Sequence, residues 1–202
     1  METILYFTAD THLGHKNIIR YCKRPFKNVQ EMDDAIINNL NNVVKENDIL
    51  WHLGDFCFGR PEYYLKRINC KRIFLLMGNH DVRIKSWLHR AEQNYGLTVY
   101  PPNAIISQTL NIKDFVGNYI SQGFNGEIVL CHYPLRDWNK RMHGAIHLHG
   151  HDHDTMPNLY SGAYNVGVDA NKFYPVSLDI ILRRINMLHI SCKAKSNSEH
   201  PQ

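Results

Sequence analysis

The chain's apolar residues come in runs of four or five, and each run stops at or beside a side chain that can hold a cation. The runs are Ile4 to Thr8, Ile49 to Leu53, Ile73 to Met77, Ile128 to Cys131, Ala145 to His149 and Tyr164 to Val168. Segments this short, rich in β-branched and aromatic residues, read as buried strands, not helices. Between them lie amphipathic patterns. Val29 to Val44 puts Met32, Ile36, Ile37, Leu40 and Val43 on one helical face. Pro61 to Ile68 and Ile84 to Gln93 are shorter helical candidates, and Pro175 opens a helix predicted over Val176 to Asn186. Strands alternating with helices call for an α/β fold. From Leu97 to Ile120 that alternation lapses, with strand-like pieces split by Pro101-Pro102 and Gly117. The expected architecture is two packed mixed β-sheets flanked by α-helices. With 202 residues, 44% of them apolar, one core suffices, so residues 1–190 form a single domain. Residues 191–202 are expected to be a disordered tail, since the last ten, KAKSNSEHPQ, carry one Ala as their only apolar side chain.

The first strand ends in Asp10-Thr11-His12, the second in Gly54-Asp55 and the third in Gly78-Asn79-His80-Asp81. A later one ends in His132, and another in Gly150-His151-Asp152-His153. Ligands of α/β sheets bind beyond the carboxyl ends of strands, so five such ends can converge on one site. Carboxylate oxygen, amide oxygen and neutral imidazole suit divalent ions such as Mn²⁺, Fe²⁺, Zn²⁺ or Ni²⁺. In an extended segment residues i and i+2 point to the same side, so Asp10 and His12 can grip one ion, and His151 and His153 likewise. Glycine before Asp55, Asn79 and His151 permits tight turns close to the ions.

This ordered set, D-x-H, G-D, G-N-H-D, H and G-H-x-H, resembles the signature of the calcineurin-like metallophosphoesterase superfamily. The resemblance runs from about residue 4 to residue 185. In TADTHLGHKNIIRYCKRPF, WHLGDF and NVGVDANKFYPVSLDII the chain is similar to a compact, capless branch of bacteria and phages. The resemblance implies two divalent ions, Mn²⁺ foremost, with Fe, Zn, Ni or Mg as alternatives. Asp10, His12, Asp55 and His153 would hold the first ion; Asp55, Asn79, His132 and His151 would hold the second, with Asp55 bridging. A metal-bridging hydroxide would attack phosphorus. His80 would act as general acid at the leaving group, oriented by Asp81 unless that residue only caps a turn.

Further residues invite roles of their own. His15 and Asn17 follow the first motif and are candidates for lining the substrate cleft. Arg136 and Trp138 follow His132, where a cation and an indole could hold a phosphate and stack a base, against surface packing of the ring. His147 and His149 precede His151 at the same spacing, either supporting the ligands or buried and satisfied. Asp169 either supports a ligand histidine or caps a turn.

The expected function is a dinuclear phosphoesterase cutting diesters or monoesters of a small phosphorylated molecule, a nucleotide foremost. A nuclease would want a continuous basic groove, and the 23 basic against 19 acidic residues are scattered. A non-catalytic scaffold would show decayed ligands, and every one is present. Five cysteines with no CxxC pair indicate a reduced, intracellular setting. Without a signal-peptide profile or a run of about 18 apolar residues, no membrane association is expected and the location is cytoplasmic.

Overall fold

In the computed structural model, residues 3–102, 104–109, 124–155 and 161–185 are described. Their strands form two sheets. In the first, β1 (Leu5–Thr8), β2 (Ile49–His52), β3 (Arg72–Leu76) and β4 (Leu97–Tyr100) run parallel, with β1 between β2 and an antiparallel edge strand, β9 (Val176–Ser177). The second takes the order β5 (Ile106–Thr109), β6 (Glu127–Leu130), β7 (Ile146–His149), β8 (Ala163–Asn165), parallel except for β5. Both sheets are therefore mixed, as the sequence leads one to expect.

The period-2 alternation of the strands sorts their side chains into separate cores. Leu5 and Phe7 of β1, Trp51 of β2 and Leu76 of β3 share one buried cluster with Ile128 and Leu130 of β6 and Ile146 and Leu148 of β7. That cluster is the layer between the sheets. Ile181, Leu182 and Ile185, from the helix α5 over residues 178–185, close it. Residues of opposite parity, Leu50, Ile73 and Leu75, pack against α2 (Val29–Val43), α3 (Pro61–Leu65) and α4 (Lys85–Tyr95). Of the expected apolar face of α2, Met32, Ile36, Ile37 and Leu40 are buried and Val43 lies at the margin. The helix starts where it does because Asn28 Oδ1 accepts the Glu31 N–H at 2.9 Å while Glu31 Oε2 accepts the Lys27 N–H at 2.9 Å, satisfying donors the first turn leaves free.

Several boundaries differ from expectation. Val176 and Ser177 do not start a helix; they extend the first sheet, and α5 begins only at residue 178. Pro175 lacks an N–H and fits the entry to an edge strand as well as a helix start, and two residues are too few to show a period. Asn186, the expected end of that helix, lies outside the described residues. The expected Ile84 to Gln93 helix is α4 except at Ile84, which ends a 3-10 turn, Asp81–Ile84, leading into it. A short helix, α1 (Ile18–Tyr21), occupies the loop after the first motif. The Leu97 to Ile120 stretch divides at Pro101-Pro102, sending β4 to one sheet and β5 to the other. Residues 110–120 and the expected tail at 191–202 lie outside the described residues. No helix among the described residues is long and apolar enough to cross a membrane.

Candidate metal centre

Because β1, β2 and β3 run parallel, as do β6 and β7, the carboxyl ends of these strands lie at one edge of the sandwich. The seams there are stitched by backbone. Asp10 N–H donates to Gly54 O and His12 N–H to Asp55 O, both at 2.9 Å, and Val168 N–H donates to Ala9 O at 3.0 Å across the two sheets. Asp10, His12 and His153 consequently offer ligating atoms within 4.8 Å of one another, as do Asp10, Asp55 and His132.

Asp55 lies at the centre. Its Oδ2 is 3.5 Å from His12 Nε2, 3.6 Å from His132 Nε2 and 3.9 Å from His80 Nε2. Its Oδ1 accepts the His80 backbone N–H at 2.9 Å. His132 donates Nδ1–H to Leu53 O at 2.8 Å, which leaves a lone pair on Nε2. That lone pair faces Asn79 Oδ1 at 3.0 Å and His151 Nδ1 at 3.3 Å. Acceptors crowded on one another are the pattern a shared cation relieves. Asp10 uses Oδ2 to accept the His151 N–H at 2.8 Å, while its Oδ1 and both ring nitrogens of His12 are buried with no hydrogen-bond partner among the described residues.

The electrostatics make the same demand. Burial, reinforced by Asp55 and only partly offset by His153, pushes Asp10 up to about 8. Burial likewise holds His12, His132 and His151 below the usual histidine range, in the neutral form a metal requires. His153 goes the other way: burial pulls it down, but its hydrogen bond to Asp169, the neighbouring Cys22 and the charge of Asp10 raise it to about 10. The donor set, three carboxylate and amide side chains with four imidazoles, fits divalent first-row ions.

How Asp10 and His12 come together differs from the expected extended D-x-H. β1 ends at Thr8, and Asp10 (φ 57°), His12 (φ 48°), Asp55 (φ 58°), His151 (φ 72°) and His153 (φ 49°) all have left-handed backbone. Such residues are uncommon outside glycine and cluster at functional sites. Gly54 is needed at φ 100°, where a Cβ would lie 2.6 Å from Gly78 N and from His132 Nδ1. Its part in keeping room beside the donors matches the sequence reading.

Asp81 corrects the role foreseen for it. Its buried carboxylate accepts N–H bonds from Asp55 at 2.7 Å, Phe56 at 2.9 Å and Gly78 at 2.9 Å. It ties the loop after β2 to the loop after β3 and so positions Asp55, not the His80 ring. His80 itself stands at the mouth with 37% of its side chain exposed, its ring 5.3 Å from His12 and 5.4 Å from Phe58. His15 is brought there too, stacked on Phe58 at 3.9 Å and 5.7 Å from His12. Asn17 is exposed at the start of α1, its carbonyl accepting the Arg20 and Tyr21 N–H groups.

Trp138 is a second correction. Only 7% exposed, it donates its indole N–H to Ala145 O at 2.9 Å and packs on Val129, Ala145 and Ala163 on the outer face of the second sheet. A base cannot stack there. Arg136 is exposed, and its carbonyl accepts a bond from Arg141 at 3.3 Å. His147 is buried and satisfied, sharing Nδ1–H with Val129 O at 3.0 Å and accepting the Leu135 N–H on Nε2 at 3.0 Å. His149 lies beside it, its Nδ1 3.1 Å from Gly150 O. Asp169 takes the supporting role, accepting His153 Nδ1–H at 2.7 Å.

Sequence reasoning passed over Arg24, which is fully used. Its Nε and Nη2 donate to the two oxygens of Asp169, both at 2.8 Å; Nη2 also donates to Asp10 O at 2.7 Å, and Nη1 to Thr11 O at 3.1 Å. A lone arginine gives no local signal for this, because its partners are 14 and 145 residues away. Tyr133, whose ring is 4.6 Å from His151 and 5.0 Å from His132, was passed over as well; its place directly after His132 was the available sign.

Two sheets meeting at an edge where Asp, Asn and His donors converge define a metal-dependent hydrolase of the calcineurin-like sandwich type. The chain belongs to the calcineurin-like phosphoesterase family, whose sequence pattern matches residues 4–155. Metal-dependent hydrolysis of phosphate esters is that family's activity. An uncharacterized protein of Methanocaldococcus jannaschii is 32% identical over 192 residues, covering 90% of each chain. The gene 66 protein of Mycobacterium phage L5 is 26% identical over 204 residues, covering 91% of this chain and 95% of the phage protein. A crystal structure of a protein of unknown function from Aquifex aeolicus superposes with a TM-score of 0.60 at 26% identity, over 93% of this chain and all of that one.

Proposed function

We propose that this chain hydrolyses phosphate diesters or monoesters with two divalent ions, one held by Asp10, His12, Asp55 and His153 and the other by Asp55, Asn79, His132 and His151. The observation that carries the reading is the set of buried donor atoms without partners, Asp10 Oδ1 and His12 Nε2, beside the Nε2 lone pair of His132, all converging on Asp55. Bound there, divalent ions supply Lewis acidity to phosphoryl oxygens and lower the pKa of the attacking water. Asp55, common to both donor sets, would supply negative charge to each ion. Asp81 holds the Asp55 backbone in its left-handed turn. His80, at the mouth and 3.9 Å from Asp55, gives a proton to the oxygen that leaves phosphorus as the ester bond breaks. Replacing His80 by Ala lowers kcat by about 10²–10⁴-fold and leaves metal content unchanged.

The substrate proposed is a small phosphorylated molecule, a nucleotide foremost, whose planar group meets the His15–Phe58 stack at the mouth. Mn²⁺ is the ion proposed, with Fe, Zn, Ni or Mg accepted by the same donors, and the free thiols of Cys22, Cys57, Cys70 and Cys131 suit a cytoplasmic setting. One observation favours a nuclease as the second reading. Lys16, Arg20, Lys23 and Lys27 are exposed along the segment that follows His12, with Arg20 over the Tyr21 ring at 5.3 Å.

The test pairs metal analysis with hydrolysis of bis-p-nitrophenyl phosphate and p-nitrophenyl phosphate by wild type and Asp55→Asn. Two ions per chain and turnover that collapses in the variant support the reading; a wild type that binds no ion overturns it. Oligonucleotide binding that weakens steeply with salt would shift the reading to the nuclease.

A further inference from the structure

His153 belongs to two overlapping donor sets. In one, its ligating atom lies within 4.8 Å of those of Asp10 and His12; in the other, within 4.8 Å of those of Cys22 and Asp169. Both sets carry donors that hold divalent ions, and the second includes a thiol, which draws softer metals such as zinc. Nothing in the spacing of His153 decides between them. The decision lies with its neighbours.

Asp169 is the residue that differs in status. Its Oδ1 accepts Arg24 Nε–H, and its Oδ2 accepts both Arg24 Nη2–H and His153 Nδ1–H. The guanidinium is wholly buried and the carboxylate 9% exposed. A bidentate pair of this kind is strong and directional, and its buried carboxylate is not free to bind an ion without breaking it. With Nδ1–H committed to Asp169, the lone pair of His153 sits on Nε2. The remaining donors of Arg24 fix the carbonyls of Asp10 and Thr11, at 2.7 and 3.1 Å, in the segment that presents Asp10 and His12. One side chain thus closes off one donor set and braces the other.

We propose that Arg24 is a positioning residue that selects the metal site: by saturating Asp169 it commits His153 to the set with Asp10 and His12 and keeps the Cys22–His153–Asp169 set from taking an ion. The inference rests on the two-ion reading above, and its test separates the two. Wild type, Arg24→Met, Arg24→Met with Cys22→Ser, and Asp169→Asn are titrated with Co²⁺, reading stoichiometry by calorimetry and thiolate coordination by charge-transfer absorption.

Wild type is expected to bind two ions with no thiolate band. Arg24→Met is expected to lose about 10–100-fold in affinity for one ion and to gain a thiolate band that Cys22→Ser abolishes. Asp169→Asn keeps the carbonyl bonds of Arg24, which guards against a variant that merely fails to fold. It is expected to show the same weakening of one ion and no band, because the alternative set has lost its carboxylate. A folded Arg24→Met protein without a thiolate band, or an Asp169→Asn protein that binds both ions as wild type does, overturns the inference alone. Wild-type protein that takes up no Co²⁺ overturns the two-ion reading instead.

Discussion

Two histidine pairs of identical spacing follow one another along the chain, His147-x-His149 and His151-x-His153, and they end up in opposite circumstances. The first pair lies within β7, where Ile146 and Leu148 face the inter-sheet core and the histidines face the outer side of the sheet. There the backbone uses them: His147 joins Val129 O to Leu135 N–H and so pins the loop that follows His132. The second pair comes after the strand has ended, in left-handed backbone. His151 Nδ1 lies 3.3 Å from His132 Nε2, and His153 offers a ligating atom within 4.8 Å of those of Asp10 and His12. Two residues of chain separate a structural histidine from a proposed metal ligand. What distinguishes them is whether a backbone partner has already taken the ring nitrogens.

The largest expected effect of breaking this contrast is in the second pair. His153→Ala or His151→Ala is expected to lower phosphoesterase activity by more than the roughly 10–100-fold that outer partners of metal ligands cost, with metal lost by elemental analysis and the metal-free thermal midpoint nearly unmoved. His147→Ala has the converse profile. It strands Val129 O and Leu135 N–H in the interior, at about 1–3 kcal/mol for unsatisfied buried groups, lowering the midpoint by roughly 2–4 °C per kcal/mol for a chain of this size while both ions stay bound. Equal metal loss in both variants would erase the distinction.

Acid sharpens the comparison further. Burial foremost, then the neighbouring His149, lowers His147 to about 4. Unfolded, the same group titrates near pH ~6.5, so below that pH the unfolded chain binds a proton the folded chain refuses. The stability His147 contributes is whole above about pH 6.5 and drains away as the pH falls toward 4. Denaturant midpoints between pH 7 and 4 should fall less steeply in His147→Gln than in wild type. The smallest effect belongs to Trp138→Phe, which gives up the bond to Ala145 O for about 0.5–1.5 kcal/mol. KM should not change; a rise would return the indole to the substrate cleft.

The convergence of strand ends was legible because each motif is local: an apolar run, a turn residue, a donor. The order of the five motifs then carried the family. Of the two roles left open for Asp81, the turn role holds, because adjacency to His80 in sequence says nothing about direction and its carboxylate accepts N–H groups of Asp55, Phe56 and Gly78. For Trp138 the packing alternative is the one that holds, since the ring lies on the outer face of the second sheet with Val129, Ala145 and Ala163. Arg24 and its bond to Asp169 span the whole domain and leave no periodic or motif signal. Left-handed backbone at Asp10 or His153 was equally hidden, since neither residue type announces it.

That backbone bears on how such a protein can change over generations. Holding an L-residue in the left-handed region costs about 1–2 kcal/mol, a cost Gly would escape, and five of the seven proposed donors carry it. Asp10 adds the cost of burial, which pushes its carboxyl up to about 8. Replacing a donor with glycine would cripple the centre while relaxing the chain around it, so random drift here runs toward sturdier, inactive proteins.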